Sequence, residues 1–408
     1  MESQKNYDVV IVGAGLIGAS LAALLAKHSD HKIALVERSA RQTNNQYPNQ
    51  RVVALGKTAT DILRETGVFE QLDRHSCYPY QRMYVWDQHS NGELSFDAQS
   101  QGQEILGHMI DSMQACLHLQ SKIDSQTQID SYYGCAVESL TQHEDSADLA
   151  ITKNGGDSFT KNSGGSLNLR APLIVAADGA RSWVRQQAKI FANRYQYQQQ
   201  GIVARISCEL NHQDTAWQCF LDTGPVAVLP ICDDDDFQNQ GSIVWSANNQ
   251  RANELMELDD SGFAHQLSLA LQGRLGELQL LSTRQAFPLM SQHAQQYYTR
   301  NIALVGDAAH SIHPLAGQGA NIGFKDIHIL TALLSATEST GLAELSLLEQ
   351  YQKQRRTDNL QTDRVMSALH FAYQNTSPWW QLVRGAGMNW LSTSKTIKKL
   401  LAEQAIGF

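Results

Sequence analysis

Cysteine is scarce and scattered in this chain: there are six in 408 residues, at Cys77, Cys116, Cys135, Cys208, Cys219 and Cys232, with no CxxC pair. That spacing excludes a disulfide scaffold and a thiolate zinc site, and it reads as a reduced, cytoplasmic protein. Long apolar runs are missing too, the aliphatic stretches being short or broken by polar residues, so no helix is expected to cross a bilayer. Positive charge is in deficit, with 32 Lys and Arg against 41 Asp and Glu and a net charge of −9. A nucleic-acid partner, which would need a basic face, is therefore not expected. The amino terminus lacks a basic leader and a cleavage site, so no export is expected. Internal repeats are absent as well.

What is present begins at once. In YDVVIVGAGLIGASLAALLA the apolar run Val9 to Val12 reads as a buried strand, and Gly13, Gly15 and Gly18 form a GxGxxG turn opening a helix. The first glycine permits the tight turn, the second lets the backbone approach a pyrophosphate, and the third lets helix and strand pack closely. The helix amino terminus then offers free N–H groups and a positive dipole to phosphates. A second strand, Lys32 to Val36, ends at Glu37, whose carboxylate would accept from adenosine ribose hydroxyls and repel a 2′-phosphate. FAD or NAD is implied, and not NADP.

A distant segment favours FAD. IALVGDAAHSIHPLAGQGANIGF, from Ile302 to Phe324, is a strand, an acid and a glycine-punctuated turn into a helix expected to start near Ala320. Asp307 can accept from ribityl hydroxyls. Gly317, Gln318 and Gly319 would turn N–H groups and the helix dipole toward the flavin edge where charge gathers on reduction.

These motifs resemble the class A flavoprotein monooxygenases of the p-hydroxybenzoate hydroxylase type. The resemblance rests on Gly13 to Gly18, on DGARSWVR from Asp178 to Arg185, and on Gly306-Asp307 extended through Pro314 to Asn321, and it covers nearly the whole chain. The segments MYVWDQHSNGELSFD from Met83, LGHMID from Leu106 and SIVWS from Ser242 are similar to the ubiquinone-biosynthesis hydroxylases, most of all the 2-polyprenylphenol 5-hydroxylase subtype. The resemblance implies FAD as cofactor, NAD(P)H as a transient reductant, and O2 and a polyprenylated phenol as substrates. It makes Glu37, Arg38 and Arg51 contacts for the ribose, pyrophosphate or flavin, Gly306 and Asp307 the ribityl site, and Pro314 a neighbour of the flavin ring. Gly317, Gln318, Gly319, Ala320 and Asn321 would hold its pyrimidine edge. Asp178 and Arg185 become candidates for ordering the loop where the reductant reacts. At Ser112 the chain departs from the family, which commonly has Arg or Asn there; Ser112 is expected to cap a helix instead. Other readings in scope are hydroxylation of another ring position or another phenol, and an FAD-bound noncatalytic lipid-binding subunit.

The expected architecture is α/β with α+β mixing. Residues 1–73, 105–182 and 284–375 form a Rossmann-like FAD-binding domain interleaved with an antiparallel-sheet substrate domain, 74–104 and 183–283, before a helical tail, 376–408. Between sheet and flavin an apolar, water-excluding pocket is expected. Trp379, Trp380 and Trp390 followed by Lys395, Lys398 and Lys399 suit either a closing helix packed on the substrate domain or peripheral contact with the inner face of a membrane, a lipid carrier or a biosynthetic complex. His310 and His313 lie in the turn facing the flavin; an HxxH metal site lacks further ligands nearby, leaving a structural or hydrogen-bonding role. Asp233 to Asp236 reads as a solvated turn, since it lacks the alternation of a calcium loop.

Overall fold

The computed structural model describes residues 3–42, 51–154, 166–232, 239–312 and 318–374, together with 377, 379 and 385–388. Val9–Val12 is buried at all four positions and lies inside a six-stranded sheet, flanked by Leu173–Ala176 and Ile33–Glu37. Ile302–Leu304 pairs in parallel on the far side of Leu173–Ala176, and Ile129–Tyr133 pairs in parallel with Ile33–Glu37. Strands covered on both faces need apolar side chains throughout, which is why VVIV and LIVA do not alternate. The helix Leu16–His28 packs between Ser112–Asp124 and Gln318–Ser335. Each fully buried Val, Ile or Leu here contributes about 1.5–3 kcal/mol.

A nine-stranded sheet forms the second body. Its path runs His310–Ser311, Gln285–Ala294, Ala192–Cys208, Gln240–Asn248, Val226–Ile231, Thr215–Phe220, Arg82–Asp87 and Glu93–Asp97, with Leu278–Leu280 also on Ala192–Cys208. Ala192–Cys208 runs well beyond its buried half, because its first half, though mostly exposed, pairs with Met290–Ala294. One face of the sheet, including Ile202, Ile206, Val228 and Trp245, packs on Phe263 and Leu267 of the helix Asp260–Ala270. The alternate residues Val85, Phe96, Ala216, Phe220 and Ile231 face the other way. They join Tyr78, Tyr80 and Met109 of a small antiparallel sheet, and Ile312, Ile322 and Met366. The pleat thus gives the sheet one face for its own helices and one for the rest of the molecule.

At the carboxyl end Leu345–Gln374 is a long helix. Residues 385–388 are helical and sit against the hairpin tip 90–92, so close that a Cβ on Gly92 would lie 3.0 Å from the Gly385 Cα. This part of the tail packs on the nine-stranded sheet. Trp379 is 79% exposed, whereas Trp380, Trp390 and the three lysines lie outside the described residues, as does Asp233 to Asp236.

Candidate functional site

The first glycine turn is shaped by contacts that no side chain could share. Gly13 has φ +105° and its N–H donates to the Val36 carbonyl at 2.7 Å; a Cβ there would meet the Ala177 carbonyl oxygen at 2.4 Å. A Cβ on Gly18 would lie 1.9 Å from the Gly13 oxygen, whereas one on Gly15 would meet nothing within 4 Å. Two glycines therefore serve packing and the middle one opens onto free space. Glu37, the last residue of its strand, accepts from the N–H of Ala14 at 2.8 Å and of Ser39 at 2.8 Å. Its carboxylate braces the turn, with lone pairs left for a ligand. Arg38 is exposed, and its carbonyl accepts from Asn154 Nδ2 at 2.6 Å.

The second motif lies beside the first, as a Cβ on Gly306 would be 3.4 Å from Ile17 Cγ2. Asp307 is partly buried, and among the described residues nothing hydrogen-bonds its carboxylate. Burial pushes its carboxyl up, against the pull of His310 and Arg51. The helix that follows is present from Gln318, two residues before the expected start, so Gln318 and Gly319 lie within its first turn. A Cβ on Gly319 would meet nothing within 4 Å. Asn321 ties this helix to the strand Val52–Leu55: its Nδ2 donates to the Ala54 carbonyl at 2.9 Å and its Oδ1 accepts from Gly56 N–H at 2.9 Å. His313, Pro314 and Gly317 lie outside the described residues.

Behind the turn stands a polar group the sequence reading missed. Asp326 is fully buried, and its carboxylate accepts from the Gly306 N–H at 3.0 Å and bonds His310 Nε2 at 2.5 Å. It also accepts from Arg355 Nε at 2.9 Å and Asn359 Nδ2 at 3.1 Å. Tyr297 Oη bridges Asn359 Nδ2 and His293 Nε2, each at 3.2 Å. His310 is thus bound to a carboxylate, with its Nε2–H as donor when the ring is neutral. An acid eight residues into a helix carries no signal until the fold shows what it faces.

Asp178 accepts from the N–H of Trp183 at 2.8 Å and of Val184 at 3.1 Å, so it caps the short helix Trp183–Gln187 together with Ser182. Arg185 is buried, donating to the Ala308 carbonyl at 2.7 Å and to Gln292 Oε1 at 3.2 Å. Gln292, also missed in the sequence, accepts from Arg194 Nε at 2.9 Å and donates to the Asp307 carbonyl at 3.4 Å. The Asp-Gly segment and the Gly306-Asp307 turn are therefore joined through backbone carbonyls.

The expectation for Ser112 needs correcting. Asp111 is the N-cap, its Oδ1 accepting from the N–H of Met113 at 2.9 Å and Gln114 at 3.1 Å. Ser112 is the first helical residue, and its Oγ donates to the Arg51 carbonyl at 3.0 Å, holding exposed Arg51 at the end of its strand. Asp111 Oδ2 lies 3.6 Å from Arg205 Nη2, a buried ion pair between the start of the helix Ser112–Asp124 and the nine-stranded sheet.

The arrangement of a glycine turn open at Gly15, an acid at a strand end, a second acid whose carboxylate takes no hydrogen bond among the described residues and an open helix start fits an extended dinucleotide, with an apolar sheet face beyond it. Comparison with known proteins agrees. A family model described as an FAD binding domain matches residues 6–362. The chain is 30% identical over 409 residues to the 3-demethoxyubiquinol 3-hydroxylase of Escherichia coli, covering 99% of this chain and all of that one. It is 28% identical to a mitochondrial ubiquinone biosynthesis monooxygenase of Danio rerio, covering 91% and 84%. In fold it resembles a p-nitrophenol 4-monooxygenase from Pseudomonas putida, with TM-score 0.77 and 16% identity over 100% and 99% of the two chains. It also resembles a probable FAD-dependent monooxygenase from Pseudomonas aeruginosa, with TM-score 0.72 and 21% identity over 94% and 100%.

Proposed function

Because the chain belongs to the FAD-binding-domain family and is an FAD-dependent aromatic hydroxylase of the class A flavin monooxygenases, we propose that it hydroxylates the ring of a polyprenylated phenol in ubiquinone biosynthesis, the step being 2-polyprenylphenol 5-hydroxylation. The observation that carries the ubiquinone-pathway reading is the similarity, over nearly the full chain, to relatives named for ubiquinone synthesis; the 5-position rests on the resemblance of the segments from Met83, Leu106 and Ser242. The apolar layer between the nine-stranded sheet, with Val85, Phe96, Phe220 and Ile231, and the helix Leu345–Gln374, with Met366, supports it, since a prenylated ring needs such a surface. A second reading, 3-hydroxylation of a demethoxyubiquinol, is favoured by the name of the Escherichia coli relative.

In this proposal the Gly13 to Gly18 turn receives the pyrophosphate, Glu37 the adenosine ribose with Arg38 nearby, and Arg51 the pyrophosphate or flavin. Gly306 and Asp307 take the ribityl chain, and the segment from Pro314 and Gly317 through Gln318, Gly319, Ala320 and Asn321 takes the flavin ring. Bound FAD supplies electron relay from NAD(P)H and transfer of one oxygen atom from O2 to the ring, the other leaving as water. The protein's part is placement. The helix starting at Gln318 offers its dipole to charge on the flavin, the apolar sheet face excludes water, and Arg185 with Gln292 fixes the turn carbonyls between the Asp-Gly segment and the ribityl site. A lipid-tailed substrate arrives from a membrane surface or a carrier, and the exposed Trp379 supports peripheral contact of this kind.

The test is quinone-intermediate analysis by mass spectrometry in bacterial strains blocked at single ring positions, with and without this chain. Restoration in the strain lacking 5-hydroxylation supports the proposal. Restoration only in the strain lacking 3-hydroxylation selects the second reading, and no substrate-stimulated NAD(P)H oxidation by the FAD-loaded protein overturns both.

A further inference from the structure

Asp326 lies at the convergence of elements distant in the chain. Its carboxylate receives the Gly306 N–H and His310 on one side and Arg355 and Asn359 of the long helix on the other. All five groups are buried, Asp326 completely so. Burial alone would favour the protonated acid, but the cationic and hydrogen-bonding partners outweigh it and hold the carboxyl below the usual carboxylate range. An ionised carboxylate can accept from donors on both of its oxygens at once, which a neutral amide cannot. Asp307 lies one residue beyond the Gly306 N–H that Asp326 holds, and the carbonyl of Ala308, two residues beyond, is held by Arg185.

We propose that Asp326 is a positioning residue for the flavin, its buried charge clamping the 306–310 turn so that the Asp307 carboxylate and the start of the helix Gln318–Ser335 meet the cofactor in one fixed geometry. The inference rests on the reading of Asp307 as a cofactor ligand and not on the ring position hydroxylated. A lone structural acid would contribute only to folding. A charge held behind the flavin turn also contributes to the potential at the isoalloxazine, because buried charges are weakly screened. Replacing Asp326 by Asn removes one negative charge and leaves the Arg355 guanidinium in place, so the bound flavin becomes easier to reduce.

The experiment uses the full chain, stripped of FAD and reloaded. In Asp326→Asn, FAD affinity measured by flavin fluorescence is expected to weaken at least tenfold, and the two-electron midpoint potential of the bound flavin to move positive. Tyr351→Phe removes a comparably buried hydrogen bond, to the Leu304 carbonyl at 2.8 Å, without touching the turn. It is expected to lower the unfolding temperature while leaving FAD affinity and potential unchanged. If Asp326→Asn does not fold, Asn359→Leu takes its place: it removes one donor to Asp326, along with the bonds of Asn359 to Tyr297 and Arg355, keeps the charge, and is expected to weaken FAD a fewfold with little shift in potential. FAD affinity within twofold of the parent and an unmoved potential in Asp326→Asn, or an unmoved affinity in Asn359→Leu, overturn the proposal. If Asp307→Ala binds FAD normally, the ligand reading fails separately, whatever Asp326→Asn shows.

Discussion

At the scale of single residues, the three glycines of the first turn make separable predictions. Gly18→Ala forces a Cβ to 1.9 Å from the Gly13 oxygen, so it is expected to cost about 3 kcal/mol of stability or to leave the protein insoluble. Gly15→Ala meets nothing within 4 Å, so its unfolding midpoint should stay near the parent's while FAD affinity falls, because the new methyl occupies the space proposed for pyrophosphate. Chemical denaturation of the FAD-free proteins and FAD titration separate the two effects. Asp307→Ala is expected to weaken FAD at least tenfold, about 1.4 kcal/mol, read by the same titration. These residues were legible in the sequence because their spacing encodes a local turn. Asp326 and Gln292 were not, since their meaning comes from partners at positions 306, 310 and 355, or 185, 194 and 307, that only the tertiary fold brings near.

Among elements, the helix Ser112–Asp124 shows one residue serving two purposes. Asp111 caps the helix through Oδ1, and its Oδ2 lies 3.6 Å from the buried Arg205 on the substrate sheet. Asp111→Asn keeps a capping oxygen but removes the charge, and is expected to cost about 3 kcal/mol, the usual loss on breaking a buried pair. Asp111→Ala loses the cap as well, a further loss of about 1 kcal/mol. Urea unfolding should therefore rank the parent above Asn and Asn above Ala; equal midpoints for the two variants would deny the cap. The sequence placed this helix correctly and its cap one residue late, because a serine in the family's arginine position drew attention from the acid before it. Strand periodicity marked the sheet elements, yet it could not tell that Ala192–Cys208 continues as an outlying arm through pairing alone.

For the whole molecule, stability should rise with pH through the weakly acidic range. Burial pushes His108 down to about 4, and burial with neighbouring His310 pushes His293 down to about 4. The unfolded chain takes up those protons near pH 6.5, so stability is full above that value and lost as pH falls toward about 4, by about 1.4 kcal/mol per pH unit for each histidine. Asp326 is also shifted down, but from the carboxylate range, so its contribution stays intact across this window and is lost only at lower pH. Unfolding midpoints measured from pH 7 to pH 5 should fall, and His108→Gln should reduce the slope. The cofactor body also draws its parallel sheet from strands as far apart as Val9–Val12 and Ile302–Leu304, with the substrate sheet intervening. On the ribosome, the glycine turn therefore emerges long before Asp307 and the helix behind it. FAD can be gripped at both ends only once almost the entire chain has been synthesised, and nascent chains halted before that point expose the edge of Leu173–Ala176 to aggregation and the cell's proteases.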